Sequence, residues 1–576
     1  MISLGHYLKP YSKRIALGTV IKIVGTVTEL FLPWILSYMI DEIAPSEDIG
    51  LIFLWGGIML VCAIAALAGN IIANRMASKV ARDTTERLRF DLFDKTLHLS
   101  AKQTDGYTMP SLVSRLSSDT YNVHNMIGMV QRLGIRAPML LVGGIIVTFM
   151  VEPVLALVLL ATMPFLVLLA IYVAQKGISL YTGLQRTVDT MVRKIRDIYG
   201  GIRIIKALSR TEYEKDSFET INKNVSASET KAGLTTGVTN PVMNLFLNLG
   251  MTAVILVGAY RVSNGLTKAG QIIAFMTYFT LMLNAVISVG RIFVMYSKGK
   301  ASSKRICEVL NTPPDLPVLE YGVSTAGDVS GVEDDARIRF EHVSFSYEGG
   351  KVLDDVTFSV GKGETLGIIG ATGSGKTTVV MLMMRFYDAD EGSIFIDGRD
   401  IRTFDKKELR KRFGVVFQND FLFADTVRNN VDFYRGLDDG LLKEALTAAQ
   451  ADFVFEKEGG LDYGLAAKGA NFSGGQKQRL LVARALSGDS DVIVLDDSSS
   501  ALDYKTDAAL RKALGEKFSD KTVVMIAQRI SSIRHADKIL VLDGGRVAGL
   551  GSDETLRSSC PLYNEILHSQ GGFVDE

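Results

Sequence analysis

Six apolar stretches crowd into the first 300 or so residues of this 576-residue chain, and no other feature constrains its fold as strongly. They lie near Ile15–Ile40, Leu51–Ala73, Pro138–Val151, Val154–Ala174, Pro241–Tyr260 and Ile272–Met295. A helix needs roughly 20 such residues to cross a bilayer, so the spacing predicts six membrane spans. Only Glu152 and Pro153 separate the third from the fourth, which predicts a tight helical hairpin. The mean hydropathy of +0.21 is high because of this half alone. The remainder reads as a soluble unit, in keeping with a length that exceeds one ordinary core.

Charge gives the orientation. The stretch after the first span, "DEIAPSEDIG", holds acids and no Lys or Arg, whereas the long stretches after the second and fourth spans are rich in both. The positive-inside rule then predicts a multi-pass cell-membrane protein with both termini cytoplasmic. Arg261 and Lys268 in the last outer loop are a minor exception. Helical periodicity persists through the long stretches, so the spans are expected to continue into the cytoplasm as extended helices. Lys+Arg and Asp+Glu balance at 63 each, so no basic excess points to nucleic acid. Three widely spaced cysteines suit neither a disulfide framework nor a zinc site. The N-terminus has no small-residue cleavage site before a short apolar run and reads as retained, an amphipathic lead-in to the first span.

"NTPPDLPV" and "GDVSGVEDDA" mark a flexible linker, placed at residues 305–336 between a membrane domain (1–304) and a soluble domain (337–576). Past Arg337 short β-type runs alternate with helices, an α/β pattern. "GIIGATGSGKTTVVMLMM" is a strand, a glycine-rich turn and an apolar helix, the context a phosphate loop requires. Gly370, Thr372, Gly373, Ser374, Gly375, Lys376, Thr377 and Thr378 are therefore candidate nucleotide contacts. Backbone N–H groups would converge on phosphate oxygens, Lys376 would bridge the outer phosphates, and Thr377 would offer its hydroxyl to Mg2+. "VIVLDD" delivers Asp496 at the end of a buried strand, suited to the Mg2+ shell. Gln418 in "VVFQND" is a third candidate for metal and water, although alone it reads as an ordinary polar loop residue. Tyr347 in "VSFSYEGG" has the ring that adenine stacking needs, but by itself reads sooner as a core or surface tyrosine.

The stretch "NFSGGQKQRLLVARAL" resembles the signature of ATP-binding-cassette proteins, here Ser473, Gly474, Gly475 and Gln476 after Phe472. The phosphate loop, Gln418, Asp496, "SALD" and "IAQRI" follow the same order, and six spans with long extensions carry the likeness over the whole chain. It is similar to an exporter-type half-transporter with fused membrane and ATPase domains. That implies an all-α six-helix membrane domain followed by an α/β P-loop ATPase domain, with ATP and Mg2+ as cofactors. It also implies a second half-transporter as partner and ATP-driven export of a small molecule, lipid or peptide. Two ATPase domains are then expected to face each other head to tail, each signature completing the other's site. Two segments resemble the short helices that couple the domains, Ser114–Met126 and Ile205–Phe218.

Three residues depart from the family pattern. Asp497 follows Asp496 where hydrolysing members usually have Glu, and one methylene sets its carboxylate back by about 1.5 Å. A displacement near 1 Å costs roughly 100-fold in catalysis. Gln528 stands where the family has a switch His, and cannot carry its charge or shuttle its proton. Ala467 replaces a Glu that many exporters carry. Asp497 and Gln528, with Gln418, form the candidate catalytic set. The expectation is a heterodimer in which this chain's own site is degenerate and its signature serves the partner. The alternatives are a slow homodimeric exporter and an exporter-fold importer of siderophore-like substrates. An ATP-regulated channel on the same scaffold would be expected to carry extra regulatory domains. Within the spans, Lys22 and Glu29 share a helix face, and Asn244, Asn248, Asn284 and Arg291 are further candidates for a polar path.

Overall fold

In the computed structural model, which describes residues 2–319, 336–498 and 501–570, the chain divides into two compact units. One comprises Met1–His98 and Tyr107–Thr312, the other Leu99–Gly106 and Pro313–Glu576.

The first unit is helical throughout. Its long helices are Ser12–Tyr38, Ile49–Leu97, Pro153–Gly200, Thr211–Gly237, Thr239–Ser263 and Ala269–Leu310, with Thr120–Leu133 and Arg136–Val151 running on as a pair. Several far exceed a bilayer's need, as the persistent periodicity predicts. Five long apolar helical stretches qualify as spans by length and composition, and Pro153–Phe165 adds a shorter apolar helix among the described residues. Glu152 breaks the helix between the third and fourth spans in an extended conformation, and its carboxylate accepts from Val154 N, capping the next helix. Phe275, Tyr278, Phe279 and Met282 from one helix pack with Leu30, Leu140, Leu155 and Leu159 from three others. Gly25 and Gly69 bring the first two helices together, since a Cβ on Gly69 would lie 3.4 Å from the Gly25 Cα. Arg261 and Lys268, the exceptions to the charge bias, are paired: Arg261 with Glu152 at 3.0 Å, and Lys268 with Glu42.

Of the two candidate short-helix segments, Ile205–Phe218 overlaps a short helix, Ile202–Ala207, and Ser114–Met126 does not. Ser114–Met126 spans a π-turn, Arg115–Asp119, and the start of Thr120–Leu133, so it belongs to a long helical element of the first unit. The short helices between the long ones are Ala101–Tyr107 and Ile202–Ala207. Leu99–Gly106 clusters with the second unit, where Tyr387 donates to Asp105 at 2.5 Å and Ser100 to Asp315. Charged periodicity hid this because it runs unbroken from one element into the next. The Ala269–Leu310 helix also covers the first residues assigned to the linker. Most of that linker, residues 320–335, lies outside the described residues, as do the serines at 499 and 500 of the "SALD" loop.

The second unit holds two sheets. Strands β1 (Ala336–Tyr347), β2 (Gly350–Gly361), β4 (Glu391–Ile396) and β5 (Arg399–Asp400) form an antiparallel sheet in the order β2-β1-β4-β5. The other sheet combines β3 (Thr365–Gly370), β6 (Phe413–Val416), β7 (Val492–Asp496), β8 (Thr522–Ile526), β9 (Lys538–Asp543) and β10 (Arg546–Gly551). Its order is β10-β9-β3-β8-β7-β6, parallel except at β10. β7 is buried at every position, the near-continuous apolar run that a strand covered on both faces requires.

Candidate functional site

β3, β8, β7 and β6 are consecutive neighbours, so their C-terminal ends open on one edge of the sheet. Such an edge is where open α/β sheets bind ligands. Gly370 ends β3, Asp496 ends β7, Gln528 follows β8 by two residues and Gln418 follows β6 by two. Topology thus gathers four chain segments, more than 150 residues apart at the extremes, around one cleft of about 720 Å³.

The loop after β3 turns into the Lys376–Met383 helix through Gly375, whose φ is +96°. A Cβ there would sit 2.5 Å from the Leu353 Cδ2, so no larger residue fits. Lys376 Nζ donates to the carbonyls of Gly370 and Ala371 at 2.9 and 2.8 Å. Thr377 Oγ1 donates to Asp496 Oδ2 at 2.8 Å. Burial pushes the Asp496 carboxyl up, and the adjacent Asp497 adds to this, while the Thr377 hydroxyl and Lys376 oppose it. Burial likewise lowers Lys376, against the pull of Asp496 and Asp497.

Asp497 adopts a left-handed backbone, φ +51°, with its N–H donating to Ile526 O at 3.0 Å. The turn directs its carboxylate away from the strand and into the cleft. Gln528 Nε2 donates to Asp497 Oδ2 at 2.9 Å, and Gln418 Nε2 makes a longer contact to the same oxygen at 3.4 Å. The three residues singled out as the catalytic set therefore form one cluster.

Residues 15–286 match the family described as ABC transporter transmembrane region, and residues 353–500 the family described as ABC transporter. An uncharacterized ABC transporter ATP-binding protein of Mycobacterium tuberculosis is 32% identical over 98% of this chain and 97% of its own length. YfiB of Bacillus subtilis, another uncharacterized ABC transporter ATP-binding protein, is 32% identical with 98% of both chains covered. The chain belongs to the ABC transporter family. In fold it matches a bacterial Atm1-family ABC exporter solved with ATP bound, at TM-score 0.80 and 23% identity over 98% of this chain and 99% of that one.

An ABC transporter binds ATP in this domain, and the residues present suit it. Ser374 is buried, yet its hydroxyl has no hydrogen-bond partner, an orphan that a phosphate oxygen would satisfy. Lys376 would release two carbonyls to meet the outer phosphates, and Gly370, Thr372, Gly373, Gly375 and Thr378 also line the cleft. Thr377, Asp496 and Gln418 would hold Mg2+, which when bound neutralises phosphate charge. Asp497 stands beside them with its carboxylate in the cleft.

Two predicted contributors lie apart from the cleft lining. Tyr347, at the end of β1, sets its ring edge-on to Tyr387 with centroids 5.3 Å apart. Ser473, Gly474, Gly475 and Gln476 begin the Gly474–Leu486 helix. There Ser473 and Gln476 form a reciprocal cap, Gln476 N donating to Ser473 Oγ at 3.3 Å and Ser473 N to Gln476 Oε1 at 3.0 Å. Sequence reasoning missed the Pro561–Ser569 helix. Its Leu562, Glu565, Ile566 and Ser569 line the cleft, and Gln570 donates to Gln528 O at 2.7 Å. A short amphipathic helix near the chain end carries no phosphate-binding signal, so only the fold brings it there.

Proposed function

We propose that this chain is the slow-hydrolysing subunit of a heterodimeric exporter, with its membrane helices oriented so that both termini and the ATPase domain are cytoplasmic. Residues 1–304 carry the substrate path, 305–336 link, and 337–576 bind nucleotide. Lys376 and the loop from Gly370 to Thr378 hold the phosphates, Thr377, Asp496 and Gln418 the Mg2+, and Tyr347 stacks on adenine. Ser473–Gln476 complete the partner's site, the partner bearing Glu and His where this chain has Asp497 and Gln528.

One observation carries the reading: a single oxygen of Asp497 is engaged by the Gln528 amide at 2.9 Å, where a general base and an imidazole would be needed. A carboxylate one methylene short and held by an amide is poorly placed to activate water, and an amide supplies no proton shuttle. The signature, by contrast, keeps a helix N-terminus with its cap formed, the arrangement that receives a γ-phosphate. Two copies of this chain would hold two weak sites, whereas one copy with a complementary partner would hold a weak and a strong one.

The test is phosphate release by the purified full-length chain, alone and co-purified with a second half-transporter encoded beside it. The pair is expected to turn over at least tenfold faster than the lone chain, and Ser473→Ala in this chain should abolish the gain. Brisk turnover by the lone chain refutes the division of labour. Export is checked by ATP-dependent accumulation of substrate in inside-out vesicles of the pair; ATP-dependent loss instead would reverse the direction.

A further inference from the structure

A cavity of about 540 Å³ lies among the first three spanning segments, lined by Lys22, Glu29, Asn70, Asn74, Arg132 and Arg136 besides apolar side chains. Three cations thus face one carboxylate. Glu29 is committed to Arg136, 2.6 Å from its Nη2 and 3.2 Å from its Nε. Lys22, only 3% exposed, donates to Asn70 Oδ1 at 2.8 Å and Asn74 Oδ1 at 3.0 Å. Arg132 uses its Nε on the Gly128 carbonyl at 3.1 Å. Neither Lys22 nor Arg132 makes an ion pair among the described residues.

Charge in a membrane domain is costly, and two unmatched cations turned into one cavity have no packing rationale, since a Met would fill the space without the penalty. The amides of Asn70 and Asn74 fix the Lys22 ammonium in place but leave its charge unbalanced. The rest of the lining is apolar, with Leu32, Leu67, Met129 and Leu133. On its far side Arg136 also borders a second hollow of about 310 Å³ with Asn284, Ser288 and Arg291. Cations therefore recur in both hollows, with Glu29 the one carboxylate among the residues lining them.

We propose that this cavity binds the head of an anionic amphiphile, a phosphate or carboxylate on an apolar chain, as the transported class. Lys22 and Arg132 contact the anion, Arg136 bounds it, and the leucines and Met129 receive the first carbons of the tail. The volume is in the range of ligand sites and fits a headgroup with part of a chain. The proposal rests on the reading of the chain as an exporter subunit, whose path this would be. Such a ligand is either a membrane lipid or a free amphiphile dissolved in the leaflet.

The test is equilibrium binding of radiolabelled dodecyl phosphate to the full-length chain in phosphatidylcholine nanodiscs, without nucleotide, corrected with empty discs. Saturable binding is expected, displaced by dodecanoate but not by dodecyltrimethylammonium or dodecyl maltoside. Arg132→Gln and Lys22→Met should each weaken it at least tenfold, and Arg132→Lys should recover most of the Arg132→Gln loss. In phosphatidylglycerol discs, a further tenfold loss of probe binding identifies the lipid as occupant, and unchanged binding identifies the free amphiphile; both support the site. Absent binding, equal displacement by cationic and neutral amphiphiles, or undiminished binding by Arg132→Gln overturns it. Should the variants fail to fold, the competition series on the unaltered chain decides alone. Because no ATP is present, brisk ATPase by the lone chain would sink the heterodimer reading and leave this result standing.

Discussion

Restoring the two weakened groups should turn this chain into an ATPase by itself. The perturbation is the double substitution Asp497→Glu with Gln528→His. In the structure Gln528 Nε2 sits 2.9 Å from Asp497 Oδ2, so the pair already touches and the replacements fall into contact positions. Glu advances the carboxylate by about 1.5 Å, and recovering a displacement of that order is worth roughly 100-fold. A His able to carry charge then adds to it, so the double variant should exceed the unaltered chain by at least ~100-fold, or about 2.7 kcal/mol in the barrier. Asp497→Glu alone should yield less, because the Gln528 amide would still engage the new carboxylate. The left-handed backbone at position 497 suits Asp better than Glu, so a stability loss under about 1 kcal/mol should accompany the gain. The assay is phosphate release by full-length protein in nanodiscs at saturating Mg-ATP, with Lys376→Ala as blank. An intact signature lets two copies of the variant complete each other. The reasoning is refuted if the double variant binds ATP yet hydrolyses it no faster than the unaltered chain.

Three further outcomes follow from the geometry. Lys376→Ala removes a charged donor worth about 1.5–3 kcal/mol, so ATP affinity by fluorescent-nucleotide titration should fall roughly 10- to 100-fold. Arg385 is 1% exposed and holds Asp388, the Arg402 carbonyl and the Pro317 carbonyl, so Arg385→Leu orphans all three and should cost about 3–5 kcal/mol in denaturant unfolding. Burial pushes the Glu364 carboxyl up, but the Gly361 N–H at 2.6 Å and Lys538 at 2.9 Å outweigh it and hold it below the usual range. A depressed folded value gives stability above the ordinary carboxylate pKa of about 4.3 that is lost as pH falls through the folded value. Glu364→Gln should therefore flatten the acid limb of the melting-temperature profile; an unchanged limb refutes the assignment.

The grouping of the loop after β3, Gln418, Asp496, Asp497 and Gln528 around one cleft was legible in the sequence because each motif is local. A strand ending on glycines and a helix starting at Lys376 specify their own geometry, and an apolar run closing on Asp496 specifies a buried strand. The spans were legible for the same reason. What escaped was assembled across elements. Asn70 and Asn74 on one helix, and Arg132 and Arg136 at the junction of two others, join Lys22 on a fourth around one cavity only when packed. Their i, i+4 spacing was visible, but nothing in it says which neighbour they face. The short helix Ala101–Tyr107 was overlooked because its charge pattern continues that of the long helices around it, and helical periodicity marks a phase, not a break. The Pro561–Ser569 helix shows the converse: a segment nearly 200 residues beyond the phosphate loop lies within the cleft lining.

On the proposed reading, the hydrogen bonds at the cleft account for the effect of a single methylene. Lys376, Thr377 and Asp497 are each already satisfied inside the protein, by two carbonyls, a carboxylate and side-chain amides respectively. Exchanging such a bond for one to a phosphate or to a hydrated metal is close to neutral for the protein, since a net hydrogen bond is worth only about 1 kcal/mol. Phosphate binding is therefore set by the loop, the helix N-terminus and the Lys376 charge, none of which the replacements at 497 and 528 touch. Hydrolysis is different. It requires the Asp497 carboxylate to leave the Gln528 amide and reach water, and a shorter side chain engaged by an amide has no reach to spare. Gln528 cannot take up a proton and swing from donor to charged donor, so nothing in the pair changes state as the reaction proceeds. On the proposed reading, affinity and turnover are separable in this one site: the phosphate loop and Lys376 would bind, while Asp497 and Gln528 engage each other.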